Sequence, residues 1–310
     1  MKKKILIYRH CSLGDFIVSL PAIKLIRENN PNAIIYLASL VKNETGFVKP
    51  HRIPIREKLI NKFIYFEYNI LSIFNFFKLV KKKQFDEIYY LNEIVSKFKL
   101  KRDYFLFNLI GIPVKKGFEN LRYNYKKFNE TYYLCKRVQK KIYANDISFQ
   151  RITKSRKILS KKKYITISFG GRNPLKKWDI KKWNQLILNI FKKKPNLVIK
   201  IIGSKNEYKN AEKIKNHKKQ IYNLCGKTNI NQLFKTIEKS IYHISHDDGT
   251  MHIASTFQKN SVSIFGKIAE KGRWFPSNPN QKIFFPKRNI NDIKFEHVSK
   301  KVLNDLRKLV

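Results

Sequence analysis

Cysteine is scarce in this chain of 310 residues, and its spacing gives no metal or disulfide signal. The three cysteines, Cys11, Cys135 and Cys225, are odd in number and form no CxxC pair and no Cys/His cluster. This pattern argues against a disulfide-stabilised secreted fold and against a structural zinc site. We therefore expect a reducing, cytoplasmic compartment.

No apolar run in the sequence is long enough to span a bilayer. The most apolar zone, residues 63–80, contains Glu67 and two asparagines, so it is too polar and too short for a membrane-spanning helix. The amino-terminal run ILIY is too short for the hydrophobic region of a signal peptide. We expect a buried first strand there and an interfacial or buried amphipathic helix within residues 63–83.

Acidic residues are few, since 22 Asp and Glu stand against 66 Lys and Arg and give a formal net charge of +44. Such an excess attracts nucleic acid, anionic lipid and phosphorylated sugars. Much of the lysine is spread evenly among isoleucine and asparagine, as in a general compositional bias. A nucleic-acid binder is an alternative, but no nucleic-acid motif supports it, and we expect no nucleic-acid partner. The charge also suits an enzyme on an anionic membrane surface.

Alternating strand and helix patterns dominate the sequence. Hydrophobic residues make up 43% of the chain, and its length favours two domains. Strand-like runs such as KILIY, AIIYLAS and DEIYYLN alternate with helical patterns, and the series restarts at KKYITISF. The pattern predicts an α/β chain with a parallel sheet in each domain and a boundary near residue 155.

One helix has an especially clear pattern. Its apolar positions follow the i, i+3, i+4, i+7, i+8 rule and are Trp183, Leu186, Ile187, Ile190 and Phe191. Asp179 precedes the pattern and is expected to cap the helix.

Two turns follow predicted strands at the edge where open α/β sheets bind ligands. In RHCSLGDF, Gly14 permits a tight turn, and Asp15 is interpreted either as a helix N-cap or as a general base. In SHDDGTMH, a helix beginning near Gly249 offers unpaired N–H groups and a positive dipole end to a diphosphate. Asp247 and Asp248 are adjacent, so their side chains should diverge, and we expect no metal site.

A third turn, SFGGRNPLKKW, has paired glycines that free backbone N–H groups to face an anion. Its positive charges are Arg172, Lys176 and Lys177. The sequence lacks GxxxxGK[ST], so this turn is not a P-loop. His252, downstream, is interpreted either as a phosphate ligand or as part of a structural turn.

Five segments, taken in order, resemble the heptosyltransferase-like glycosyltransferases, glycosyltransferase family nine. They are RHCSLGDFIVSLPAIKLIRENNPNAIIYL, LIGIPVKKGF, SFGGRNPLKKWDIKKWNQLI, NLCGKTNINQLFKTIEKSIYHISHDDGTMHIAS and SVSIFG. The resemblance spans nearly the whole chain and is weakest at 40–85 and 119–155. It implies a GT-B fold: Rossmann-like domains at 1–155 and 156–289 with a central cleft, and a helix at 290–310 returning to the first domain.

The resemblance also implies the activity. An inverting, metal-independent transfer moves heptose or a similar sugar from a nucleotide-diphosphate donor, a co-substrate, to a glycolipid or oligosaccharide of the lipopolysaccharide core or another envelope glycan. No cofactor is expected. The enzyme is expected to be cytoplasmic and peripheral on the inner face of the cytoplasmic membrane.

Residue by residue, the resemblance assigns Asp15 as the base and Glu207 to the nucleotide ribose. The acceptor side receives Arg9, Ser12 and Gly14. The resemblance assigns donor and phosphate binding to Lys176, Gly170, Gly171, Asp247, Asp248, Gly249, Thr250 and His252. Asp248 departs from the family, which has Thr or Ser there, and a carboxylate repels phosphate. A catalytically inactive relative that binds nucleotide-sugar or glycan is therefore the main alternative.

Overall fold

The computed structural model describes residues 2–42, 47–55, 58–94, 96–119, 121, 123–149, 163–171, 173–215, 219–268 and 270–309. The chain splits into two units, Met1–Ile152 and Thr153–Val310. The predicted boundary near 155 and Arg172 lie outside the described residues.

The first unit contains a parallel five-stranded sheet. Its strands are β1 (Lys4–Tyr8), β2 (Ile34–Leu40), β3 (Lys62–Phe66), β4 (Glu87–Tyr90) and β5 (Val114–Lys116). They lie in the order β3-β2-β1-β4-β5. The chain proceeds outward in opposite directions from β1 and from β4, so the topological switch point lies between the carboxyl ends of these two strands.

The described residues of this unit form the helices α1 (Leu13–Asn29), α2 (Ile70–Lys83), α3 (Lys97–Leu109) and α4 (Glu130–Lys136). Helices α2 and α3 pack on the same sheet face, because Phe76 of α2 and Phe107 of α3 share a core with Leu6. The predicted helix at 63–83 was wrong at its start. Residues 62–66 form strand β3 because Ile64 and Phe66 alternate into that core.

The second unit contains a parallel six-stranded sheet. Its strands are β6 (Tyr164–Ser168), β7 (Val198–Ile201), β8 (Ile221–Asn223), β9 (Tyr242–His246), β10 (Ser261–Ile264) and β11 (Gln281–Phe284). They lie in the order β11-β10-β9-β6-β7-β8. The switch point of this sheet lies between β9 and β6.

The helices of the second unit are α5 (Ile180–Lys193), α6 (Tyr208–Lys215), α7 (Ile230–Lys239), α8 (Gly249–Thr256) and α9 (Phe295–Leu309). The prediction for α5 is confirmed, since its five predicted apolar positions are all buried. Asp179 caps the helix by accepting a hydrogen bond of 2.8 Å from the Lys181 N–H.

The C-terminal helix, α9, was expected to pack on the first domain. That packing stays a prediction, and the buried face of the helix, Val298, Val302 and Leu306, lies in the core of the second unit. These side chains follow a helical period, and Asn189 of α5 donates to the Ser299 hydroxyl at 2.7 Å, so α9 docks along α5.

Across the described ranges, no helix combines the length and the apolar character needed to cross a membrane.

Candidate active site

The loop after β1 presents Asp15 at the switch point of the first sheet. The Asp15 carboxylate accepts hydrogen bonds from the Ser12 N–H at 3.0 Å and from the Ser12 hydroxyl at 2.5 Å. Ser12 is the N-cap residue of α1, so Asp15 is not the cap but the third helical residue, where its carboxylate holds the start of the helix. Asp15 keeps part of its surface exposed.

Gly14 is the second residue of α1, so it does not form the tight turn that the sequence suggested. Its φ is not in the left-handed region. The chain therefore enters the helix directly after Ser12.

Arg9 ties this loop to the neighbouring strand exit. Its side chain is 2% exposed, and Nη1 donates to the Leu91 carbonyl at 2.7 Å. The His10 N–H donates to Oδ1 of Asn92 at 2.6 Å. Arg137, also buried, donates to the Asn92 carbonyl at 2.5 Å. These bonds fix the loops after β1 and β4. Arg137 was missed because it lies far along the chain in the irregular 119–160 region.

In the second unit, Lys176 and Asp247 form an ion pair with Nζ and Oδ2 2.5 Å apart. Lys176 ends a 3-10 turn, Pro174–Lys176, and Asp247 directly follows β9. The Asp247 side chain is nearly buried, whereas a quarter of the Lys176 side chain is exposed. The Lys176 ammonium group is therefore fixed by Asp247 and remains partly accessible beside the switch point.

Gly266, which follows β10, allows this turn to approach closely. A Cβ at Gly266 would lie 2.4 Å from the Leu175 carbonyl oxygen and 3.1 Å from the Lys176 Cα. Any side chain there would displace backbone that positions Lys176. The segment SVSIFG suggested a strand, but no sequence signal assigned this role to the glycine.

Asp248 turns away from Asp247 and caps α8. Its Oδ1 accepts hydrogen bonds from the N–H groups of Thr250 (2.7 Å) and Met251 (3.1 Å) and from the Thr250 hydroxyl (2.6 Å). Its Oδ2 accepts from the Ser168 hydroxyl at 2.7 Å. The expectation of unpaired N–H groups at this helix start was therefore wrong for residues 250 and 251, because the carboxylate occupies them.

The surroundings of Asp248 oppose its ionisation. Burial of the carboxylate raises its pKa to about 6, although the hydrogen bonds from Thr250, Ser168 and Met251 act in the opposite direction. The bonds stabilise the charged form, but the loss of hydration outweighs them. Asp248 therefore changes charge close to neutral pH.

Two buried histidines of β9 stabilise the same turns. Nε2 of His246 accepts from the Trp178 N–H at 3.0 Å, so the ring is neutral, and Nδ1 donates to the Gly170 carbonyl at 3.0 Å. Burial lowers the pKa of His246 to about 4. His243 lies 3.1 Å from the Thr250 hydroxyl through its Nε2, and burial lowers its pKa to about 3. Sequence reasoning gave neither residue a role.

Glu207 lies against Gly170, because these residues follow the neighbouring strands β7 and β6. A Cβ at Gly170 would lie 2.7 Å from the Glu207 Cδ, so a side chain there would require the Glu207 carboxylate to move. The Ser204 N–H donates to Oε2 of Glu207 at 2.8 Å. The structure therefore brings Glu207, Gly170 and the Asp247 turn to one edge of the second sheet.

His252 and Thr250 lie within α8 and are almost fully buried, whereas Gly249 is partly exposed. Gly171 has φ +154, a conformation that favours glycine. Their roles in donor binding remain predictions. Among the residues that the structure describes, no group of three or more His, Cys, Asp or Glu is placed to hold a metal ion.

The two parallel sheets with polar turns at their switch points define the GT-B class, and this predicted fold class is confirmed by a solved structure. The chain matches E. coli ADP-heptose lps heptosyltransferase II with a TM-score of 0.72 and 17% identity, over 99% of both chains. The chain belongs to glycosyltransferase family 9, because the model of that family, described as heptosyltransferase, matches residues 118–302.

A curated relative is the lipooligosaccharide heptosyltransferase 2 of Campylobacter jejuni serotype O:6, which is 29% identical over 120 residues. This match covers 37% of the chain and only 36% of the relative's length. A more distant structure is the iron-containing dodecameric glycosyltransferase TibC of enterotoxigenic E. coli. It has a TM-score of 0.59 and 10% identity, over 100% of this chain and 77% of TibC.

Proposed function

We propose that this chain transfers heptose or a similar sugar from a nucleotide-diphosphate donor to a lipopolysaccharide-core or other envelope glycan. The observation that carries the proposal is the Lys176–Asp247 pair at the switch point of the second sheet. A partly exposed ammonium group at this point suits a leaving diphosphate. Family membership supports the reaction class, and the E. coli structure suggests ADP-heptose as the first donor to test.

In the proposed reaction, the acceptor hydroxyl attacks the anomeric carbon and inverts it. The new bond joins the acceptor oxygen to that carbon, while the bond to the diphosphate breaks and its electron pair leaves with the phosphate oxygen. Lys176 neutralises this developing charge without a metal ion. Asp15 takes the hydroxyl proton, a step that general bases accelerate by roughly 10²–10⁴-fold.

The remaining site residues fall into two sets. On the donor side, Gly170, Gly171, Asp247, Gly249 and His252 line or brace the phosphate turn, and Glu207 faces the ribose. Asp248 and Thr250 hold the start of α8, because their polar groups already bond each other. On the acceptor side, Ser12 and Gly14 flank the base, and Arg9 positions their loop from beneath.

A decisive experiment compares Asp15→Asn with Asp179→Asn, since each changes a carboxylate that accepts a backbone N–H near a helix start. Thermal shifts with ADP-, GDP-, UDP- and CMP-sugars first identify the donor. Mass spectrometry then follows transfer to a lipopolysaccharide-core extract. We expect Asp15→Asn to keep the donor shift and to lose at least about 100-fold in transfer rate. We expect Asp179→Asn to behave as wild type and chelation by EDTA to change nothing.

If the Asp15→Asn variant transferred sugar at the wild-type rate, Asp15 would not be the general base. Loss of activity in EDTA, restored by iron or another metal, would contradict the metal-independent step.

The second candidate is a catalytically inactive relative, favoured by the carboxylate of Asp248 beside the donor turn. It predicts a donor-induced thermal shift with neither transfer nor hydrolysis at any pH. In either case we place the protein at the inner face of the cytoplasmic membrane, because envelope glycan acceptors are lipid-linked.

A further inference from the structure

Exposed apolar side chains concentrate in one part of the first unit. Of the sixteen large apolar residues most exposed in the described ranges, nine lie between residues 68 and 109. Seven of them are 59–90% exposed, and we call these the α2–α3 surface: Tyr68, Ile70, Leu71, Phe74, Phe98, Phe105 and Leu109. Isolated exposed apolar residues are normal, but such a concentration marks an interaction site.

The two helices that carry this surface are neighbours. The rings of Phe77 on α2 and Phe107 on α3 lie 5.7 Å apart, and both helices contribute to one core. Their opposite faces point outward together, with Phe74 and Phe98 exposed. The α2–α3 surface is therefore one side of the unit.

The exposure is built into the fold. Asn69 caps α2 by accepting from the Ser72 N–H at 2.8 Å, which fixes the start of the helix beside the exposed Tyr68 and Ile70. Ser96 caps α3 in the same way, through the Lys99 N–H at 3.2 Å. Both helix starts follow strand ends, so they lie at the same edge of the sheet as the Asp15 loop.

The charge of this side identifies its partner. Helix α2 carries four lysines, and α3 carries three lysines and one arginine. The single acid of the two helices, Asp103, is buried and bonded to Arg102 and Tyr90. A second copy of the chain would bring like charges together, so the partner must be anionic.

We infer that the α2–α3 surface docks on an anionic lipid bilayer. The aliphatic and aromatic side chains enter the headgroup boundary, and the exposed Lys97, Lys99 and Lys101 contact the phosphates. Interfacial helices combine these features, whereas a nucleic acid offers no environment for Ile70 and Leu71. The biological role rests on the proposed function, because docking here brings a lipid-linked acceptor to the edge that holds Asp15.

The test is flotation with vesicles of phosphatidylcholine, alone or with one third phosphatidylglycerol, in the absence of substrates. Wild type should float with the anionic vesicles and be released by high salt. Ile70→Ser/Leu71→Ser should bind at least about tenfold more weakly, because apolar burial is lost. The triple change of Lys97, Lys99 and Lys101 to Gln should weaken binding by about 100-fold, or fivefold per charge.

The matched control is Leu188→Ser/Tyr222→Ser, which changes exposed apolar residues of the second unit and should float as wild type. Unchanged melting temperatures and ADP-induced thermal shifts establish that every variant is folded. Wild-type flotation by the Ile70/Leu71 variant would overturn the inference. The inference would also be overturned if the lysine variant bound an oligonucleotide more weakly than wild type but bound vesicles as well as wild type. Wild-type protein that floats with anionic vesicles but transfers no sugar would count against the proposed function and leave the membrane-docking inference intact.

Discussion

The ammonium group of Lys176 lies 2.5 Å from the carboxylate of Asp247. In the reaction that we propose, a donor diphosphate would therefore compete with Asp247 for this cation. Two substitutions should therefore act in opposite directions on the affinity for ADP. Lys176→Met removes the cation and should weaken ADP binding by about 10–100-fold, the range for a charge-assisted hydrogen bond. Asp247→Asn releases Lys176 from its partner and should strengthen ADP binding severalfold.

Isothermal titration calorimetry with ADP measures both effects, and Lys177→Met is the control because Lys177 is adjacent but exposed. If Asp247→Asn weakens binding as much as Lys176→Met does, the ion pair acts as a unit, and competition between the carboxylate and the phosphate is wrong.

A second prediction concerns pH and Asp248, whose pKa is raised to about 6. A raised carboxyl pKa means that the folded protein binds the proton more tightly than the unfolded chain. The resulting stabilisation is present below about pH 4 and is lost as the pH rises through 6. Asp248→Asn cannot ionise and still offers an oxygen to the Thr250 N–H. Relative to wild type, this variant should gain up to about 3 kcal/mol between pH 4 and pH 7.5.

Urea unfolding of wild type and Asp248→Asn at several pH values measures this difference. His297→Gln, on the exposed face of α9, controls for the general effect of removing a titratable group. A difference between wild type and Asp248→Asn that stays constant with pH would show that Asp248 ionises normally.

The sequence predicted the fold correctly where one periodic pattern of apolar residues determines which side chains are buried, as in α5. It was misread at β3, because the aromatic run there continues without a break into α2, and the edge between them is set by pairing with β2. The short strand β11 was not predicted, because its four residues are only partly buried beside β10 and show no period.

The candidate site was likewise predictable from the sequence only in part. Asp15 and Ser12 are three residues apart, so local helix chemistry is enough to place them together. Lys176 and Asp247 are 71 residues apart, and only the family resemblance suggested that they share a site. The bonds from His246 to Trp178 and Gly170 depend on the packing of three separate segments, which no local pattern encodes.

The last prediction concerns Gly266, where a Cβ would lie 2.4 Å from the Leu175 carbonyl oxygen. Because that neighbour is backbone, Gly266→Ala should push the turn at 174–176 outward and move Lys176 away from Asp247. We expect ADP affinity to fall at least about tenfold, as in Lys176→Met, while the fold is retained. Combining Gly266→Ala with Lys176→Met should cost little more than either change alone, since both remove the same cation. Additive losses in the double variant would mean that Gly266 acts on donor binding by a route other than Lys176.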